Sequence, residues 1–170
     1  MITFLDYPSN YGYSLSIYLL GCEHNCNGCQ NKDLCKPCIE ESGYKETSYE
    51  DLNLMIVDEL KRNKTNKIVL LGGDPLYKNN LDFTRQFLLN YKDIYDICIY
   101  TGYEKDYVKS NNIEGFKFLK CGKFKKELFI EPNKTDKYIQ LSSSNQVWYN
   151  EKFKKISKKG KLNFKRRNNV

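Results

Sequence analysis

The sequence predicts an α/β fold in a single domain. Two observations carry this. Apolar runs of strand length alternate with helical patterns at the spacing of βαβ units, which favours a parallel sheet with right-handed crossovers. The chain, 170 residues with 40% hydrophobic and 14% aromatic content, is also long enough for one real core and short for two.

The elements follow in order. Ser14 to Leu20 alternates and then turns fully apolar, as a buried strand does. A cysteine-rich loop comes next. Ser48 is placed to cap a helix over Tyr49 to Arg62, with Leu52, Met55, Ile56, Glu59 and Leu60 at helical spacing. Lys67 to Leu71 reads as a second strand and stops at Gly72-Gly73-Asp74-Pro75. Leu81 to Tyr91 reads as a helix with Phe83, Phe87, Leu88 and Tyr91 on one side. Ile97 to Tyr100 is a third strand, ended by Thr101-Gly102, and a short helix is expected over Glu104 to Lys109. Phe116 to Leu119 and Lys137 to Leu141 complete the expected strands. The cysteine loop, the Gly72-Gly73 turn and the Thr101-Gly102 turn all lie at strand carboxyl ends, where sites gather in parallel sheets.

Charge is unevenly distributed. Nine Lys or Arg against one Glu give residues 151–170 a net charge of +8, so the other 150 carry −1 of the total +7. The expected organisation is therefore a domain over 1–150 and a basic tail over 151–170, partly disordered. A near-neutral body argues against a nucleic-acid role read from the overall charge. Met1 to Asn10 shows no signal-peptide pattern, and no apolar run approaches membrane-spanning length, so a cytoplasmic protein is expected.

Seven cysteines stand at 22, 26, 29, 35, 38, 98 and 121, five of them within 17 residues. An odd, clustered set argues for metal or cluster binding over a disulfide framework. Cys22, Cys26 and Cys29 form a Cx3Cx2C triplet. Three thiolates on one loop can hold an iron–sulfur cluster while leaving one iron without a protein ligand, and a small molecule can react at such an open position. Spacing alone leaves two alternatives: a structural zinc site completed by His24 or by Cys35 and Cys38, or ordinary loop thiols.

Together with the triplet, further segments carry a specific resemblance. Gly21-Cys-Glu-His-Asn-Cys-Asn-Gly-Cys-Gln-Asn-Lys32, Leu71-Gly-Gly-Asp-Pro-Leu76, Tyr100-Thr-Gly-Tyr103, Gly122-Lys-Phe124 with Glu127-Leu128, and Ser143-Ser-Asn-Gln146 resemble, in this order, the activating proteins of anaerobic ribonucleoside-triphosphate reductase, members of the radical S-adenosylmethionine (SAM) superfamily. The resemblance covers about residues 13–150. It implies an incomplete parallel (β/α) barrel of the radical SAM type, with a [4Fe–4S] cluster on Cys22, Cys26 and Cys29. SAM would chelate the fourth iron through its amino and carboxylate groups. In that family the reduced cluster gives one electron to SAM, and the resulting 5′-deoxyadenosyl radical takes a hydrogen from a glycine of the reductase. The implied partners are that glycyl-radical reductase subunit and a one-electron donor such as flavodoxin or ferredoxin; no membrane is implied. An activase of another glycyl-radical enzyme, of the formate-lyase type, is the second enzymatic reading. A zinc- or RNA-binding module with a basic arm is the non-enzymatic one.

The cofactor would carry the chemistry and the protein would bind and orient it. Gly72, Gly73 and Asp74 suit the methionine moiety: glycines let backbone approach closely, and a carboxylate can meet an ammonium group. Gly28 and Gln30 flank the last cysteine, near the expected adenine, and Thr101 lies beneath the pocket. No general acid or base is required, so no catalytic side chain is named. Gly-Gly-Asp-Pro is also ordinary turn chemistry, and Ser143 to Gln146 reads equally as a polar loop. Cys98 reads as core. Cys121 stands where the reductase activators usually carry Asp.

Overall fold

The computed structural model describes residues 2–4, 7–8, 14–36, 47–131, 141–158 and 161–162. The sheet is built from β1 (Ile2–Phe4), β2 (Ser14–Leu19), β3 (Lys67–Gly72), β4 (Asp96–Tyr100), β5 (Phe118–Cys121) and β6 (Val147–Asn150), hydrogen-bonded in that sequential order. β2 to β5 are mutually parallel, with Ile17 opposite Leu70 and Ile99 opposite Leu119. β1 and β6 close the two edges antiparallel.

Both faces of the sheet are covered, which is why its strands are apolar almost without interruption. Alternate residues separate two cores. Leu15, Ile17, Ile68, Leu70, Ile97, Ile99 and Leu119 pack on the helical face. Val69, Leu71 and Cys98 point to the other side, against Tyr7, Leu141 and Trp148. Three helices supply the first face: α1 (Tyr49–Arg62), α2 (Leu81–Tyr91) and α3 (Lys105–Ser110). Unidirectional strand order with helices on one face is what successive right-handed crossovers produce.

The start of α1 is set by Ser48, whose Oγ accepts from Asp51 N at 3.1 Å, with acids in the first turn and Lys61 and Arg62 in the last. Ile56 and Leu60 are its buried residues; Met55, expected on the inner face, is exposed because the buried stripe runs four residues apart through Leu52, Ile56 and Leu60. α2 buries Phe87, Leu88 and Tyr91 as expected. The fourth expected strand begins two residues later than its apolar pattern suggests. Phe116 is buried in the connection, and Lys117 N already donates to Ile97 O at 2.7 Å. Apart from Leu141, the strand expected over 137–141 lies outside the described residues. The sequence pattern did not reveal β6, although its Trp148 is fully buried.

Residues following β6 return along it. Phe153 packs edge-on to Phe116 at 5.2 Å between centroids, and Ser157 Oγ accepts from Trp148 N at 3.1 Å. A small hairpin pairs β7 (Ser157–Lys158) with β8 (Lys161–Leu162). Among the described residues no helix is long and apolar enough to cross a membrane.

Candidate metal centre

Because β2 to β5 are parallel, their carboxyl ends share one edge. Four loops leave it: residues 20–31 after β2, 73–80 after β3, 101–104 after β4 and 122–125 after β5. They enclose a cleft of about 150 Å³. All nine residues singled out in the sequence line it: Cys22, Cys26, Gly28, Cys29, Gln30, Gly72, Gly73, Asp74 and Thr101. The three triplet cysteines are half-buried and unpaired; Gly28 and Gln30 are exposed at the mouth. A wider cleft of about 700 Å³ adjoins it across His24 and Gly102 and is flanked by Tyr103, Tyr107, Lys123 and Lys125.

The loops are tied together by Asp74, whose side chain is 1% exposed. One carboxylate oxygen accepts from Leu76 N at 2.8 Å and from Thr101 Oγ1 at 2.8 Å. The other accepts from Gly102 N at 2.7 Å and lies 2.8 Å from His24 Nε2. The β2, β3 and β4 loops therefore meet on one carboxylate. Its oxygens face main chain and side chains of the protein itself, a role that the Gly-Gly-Asp-Pro segment does not reveal. Asn80 reinforces the tie, its Nδ2 donating to Leu20 O at 2.7 Å and to Asp74 O at 2.8 Å.

Two glycines are required by close approach. A Cβ on Gly73 would overlap the carbonyl oxygens of Gly21 and Leu34, and one on Gly102 would overlap the His24 ring. His24 is thus clamped between Gly102, Asp74 and the ring of Tyr103, 4.4 Å away between centroids. Tyr103 donates to Glu23 Oε1 at 2.7 Å, and burial pushes its phenol up.

The Ser143 to Gln146 segment braces the fourth loop. Gln146 Nε2 donates to Gly122 O at 3.1 Å, its Oε1 accepts from Ser143 N at 3.2 Å, and Asn145 Nδ2 donates to Lys123 O at 2.9 Å. Gln146 also lines the cleft, as do Lys120, Phe124 and Ser142, which the sequence did not single out. The signal for Phe124 was present in the Gly122-Lys-Phe124 turn after β5. Cys98 is fully buried in the second core; Cys121 is buried at the end of β5, where burial, then Glu104, holds its thiol up.

Burial pushes the Cys22 thiol up to about 12, against a lowering hydrogen bond from the His24 backbone, with Asp74 and two neighbouring cysteines adding to the rise. Bare thiolate is disfavoured there, whereas a bound cation reverses that balance. Cys22, His24 and Asp74 also place one donor atom each within 4.8 Å of one another. His24 Nε2 and the Asp74 carboxylate are already engaged with each other, and the carboxylate with three further donors, so these two work as a bracket. The soft donors left facing the cleft are thiols, the set suited to an iron–sulfur cluster.

The family model of the 4Fe-4S single cluster domain matches residues 10–149. The chain belongs to this family. Membership supports an iron–sulfur cluster and agrees with the donor set. Curated relatives are named anaerobic ribonucleoside-triphosphate reductase-activating protein. That of Pasteurella multocida (strain Pm70) is 28% identical over 155 residues, covering 85% of this chain and 91% of its own. That of Escherichia coli (strain K12) is 29% identical over 152 residues, covering 84% and 92%. That of Enterobacteria phage T4 is 25% identical over 151 residues, covering 85% and 89%. No solved structure matches the chain.

Proposed function

We propose that this protein is a radical SAM activase that generates the glycyl radical of an anaerobic ribonucleoside-triphosphate reductase. The observation that carries this reading is the meeting, at one strand edge, of a three-cysteine loop with the glycine turn after β3 and the Thr101-Gly102 turn after β4. The names of the relatives supply the partner. The sequential strand order, with helices on one face, supports an incomplete parallel (β/α) barrel.

Cys22, Cys26 and Cys29 would hold three irons of the cluster, and SAM would take the fourth. When bound, the pair supplies one-electron cleavage of SAM to methionine and a carbon radical that abstracts hydrogen from the partner's glycine. The chain's own residues bind and orient. Gly72 and Gly73 line the cleft and, lacking side chains, would let the methionine end of SAM approach closely. Gly28 and Gln30, at the exposed mouth, face its adenosine. Asp74 and Thr101 hold the β3 and β4 turns in register with the cysteine loop. The domain over 1–150, with Phe153 and Ser157 packed back on it, would do this work in the cytoplasm, the basic remainder of 151–170 forming a solvated tail and a flavodoxin or ferredoxin supplying the electron.

The test uses protein reconstituted anaerobically with iron and sulfide, reduced, and mixed with SAM and the reductase. 5′-Deoxyadenosine and a glycyl-radical signal are expected from the wild type and neither from Cys26→Ala. A loaded, reduced wild type that gives no 5′-deoxyadenosine even with the reductase present would refute the proposal. Bound zinc without sulfide would point to the zinc-binding reading.

A further inference from the structure

Among the described residues, one thiol beside the triplet takes no part in the proposed chemistry. The chain leaves Cys29, turns through the short 3-10 helix Lys32–Cys35, and brings Cys35 back beside the start of the cysteine loop. Main chain fixes it there: Gly21 N donates to Leu34 O at 2.8 Å and Cys22 N to Cys35 O at 3.2 Å. Asn31 links the same segment to β3, its Nδ2 donating to Gly72 O at 3.3 Å, and the Cys35 thiol donates to Asn31 O at 3.5 Å. Gly73 packs against both Gly21 O and Leu34 O, so the 34–35 segment is wedged between the β2 and β3 loops. The Cys35 side chain is half-buried, and the Cys29, Cys22 and Cys26 thiols are near enough to act on it electrostatically. With its main chain bonded to that of Cys22, Cys35 brings a fourth thiol beside the triplet, and four is the number with which proteins usually hold a [4Fe–4S] cluster.

We propose that Cys35 is a fourth, exchangeable cluster ligand: it occupies the open iron in the absence of SAM and yields it when SAM binds. This rests on the cluster assignment of the preceding section. The exchange is a ligand substitution without redox change. The Cys35 sulfur–iron bond forms as the thiol proton leaves to solvent. It breaks, with the proton returning, when the amino and carboxylate groups of SAM take the iron. A closed four-thiolate cluster would be shielded from loss of its open iron while the enzyme waits for substrate, and SAM would bind against a competing internal ligand.

The test compares the full-length wild type with Cys35→Ala, both reconstituted anaerobically without SAM. Iron and sulfide are measured first, then each protein is oxidised mildly with ferricyanide and the [3Fe–4S] signal is recorded by electron paramagnetic resonance. Equal iron and sulfide are expected, with the [3Fe–4S] signal nearly absent in the wild type and dominant in Cys35→Ala. SAM should also bind the variant more tightly, by about tenfold if the capped form is about 90% of the wild type. Equal [3Fe–4S] yields at equal loading would overturn the proposal. So would a folded Cys35→Ala that loads no cluster, because Cys35 would then be an obligatory ligand. Absence of iron and sulfide from both proteins would instead sink the cluster assignment itself, which separates the two failures.

Discussion

Asp74 is where the tertiary structure makes its sharpest demand. Replacing it with Ala removes a carboxylate that accepts from Leu76 N, Thr101 Oγ1, Gly102 N and His24 in a site that is 1% exposed. Leu76 and Thr101 are themselves buried, so at least two donors lose their partners out of reach of water. Each buried donor left unsatisfied costs about 1–3 kcal/mol, so Asp74→Ala should lose about 2–6 kcal/mol. With a urea slope of about 2 kcal/mol per molar, the midpoint should fall by about 1–3 M. Asp74→Asn keeps one acceptor oxygen for Leu76 N and Thr101 but turns an amide toward the Gly102 N–H, so its midpoint should lie between. The assay is urea unfolding of the metal-free protein followed by far-UV circular dichroism. A midpoint for Asp74→Ala within about 0.3 M of wild type would refute the assignment of Asp74 as the tie between loops. If that variant kept its stability but no longer bound SAM, Asp74 would be a ligand group.

Other expectations follow from the same geometry. Gly73→Ala should lower iron and sulfide loading and cost about 1–3 kcal/mol, because its Cβ meets two carbonyl oxygens of fixed main chain; normal loading would show that the β2 and β3 loops can part. Trp148→Ala should destabilise the protein by about 3–5 kcal/mol in urea titrations, since the indole is fully buried in the second core and edge-on to Tyr100. Burial, then the neighbouring Tyr49, pushes the Tyr91 phenol from 10.0 up to about 12. Its contribution to stability should be intact below pH 10 and fall away as pH rises from about 10 to about 12, because the unfolded phenol ionises first. Tyr91→Phe should flatten that part of the stability profile, and an unchanged slope would assign it to other groups.

The strands and helices over residues 14–121 were legible because each is declared locally. Period-two or continuous apolar runs mark β2 to β4, Ser48 marks the start of α1, and the Gly and Thr-Gly turns mark strand ends. The cysteine triplet was legible for the same reason, since the three residues lie within eight positions on one loop. Parallel pairing then placed the expected site residues on one edge. Other features depend on residues far apart in the chain. The His24–Asp74 contact spans 50 positions, the Thr101–Asp74 bond 27, and the pairing of β6 with β5 joins Leu119 to Tyr149. No local pattern encodes such pairs, because nothing in either partner's neighbourhood specifies the other. The alternation of elements, the order of the loops and the donor chemistry are all written in local residue patterns. That Asp74 faces inward as the knot of three loops, that Ser143 to Gln146 braces a fourth, and that Cys35 returns to stand beside the triplet emerge only when the chain is folded. Those outcomes depend on which main-chain segments come within hydrogen-bonding reach once the two cores are packed.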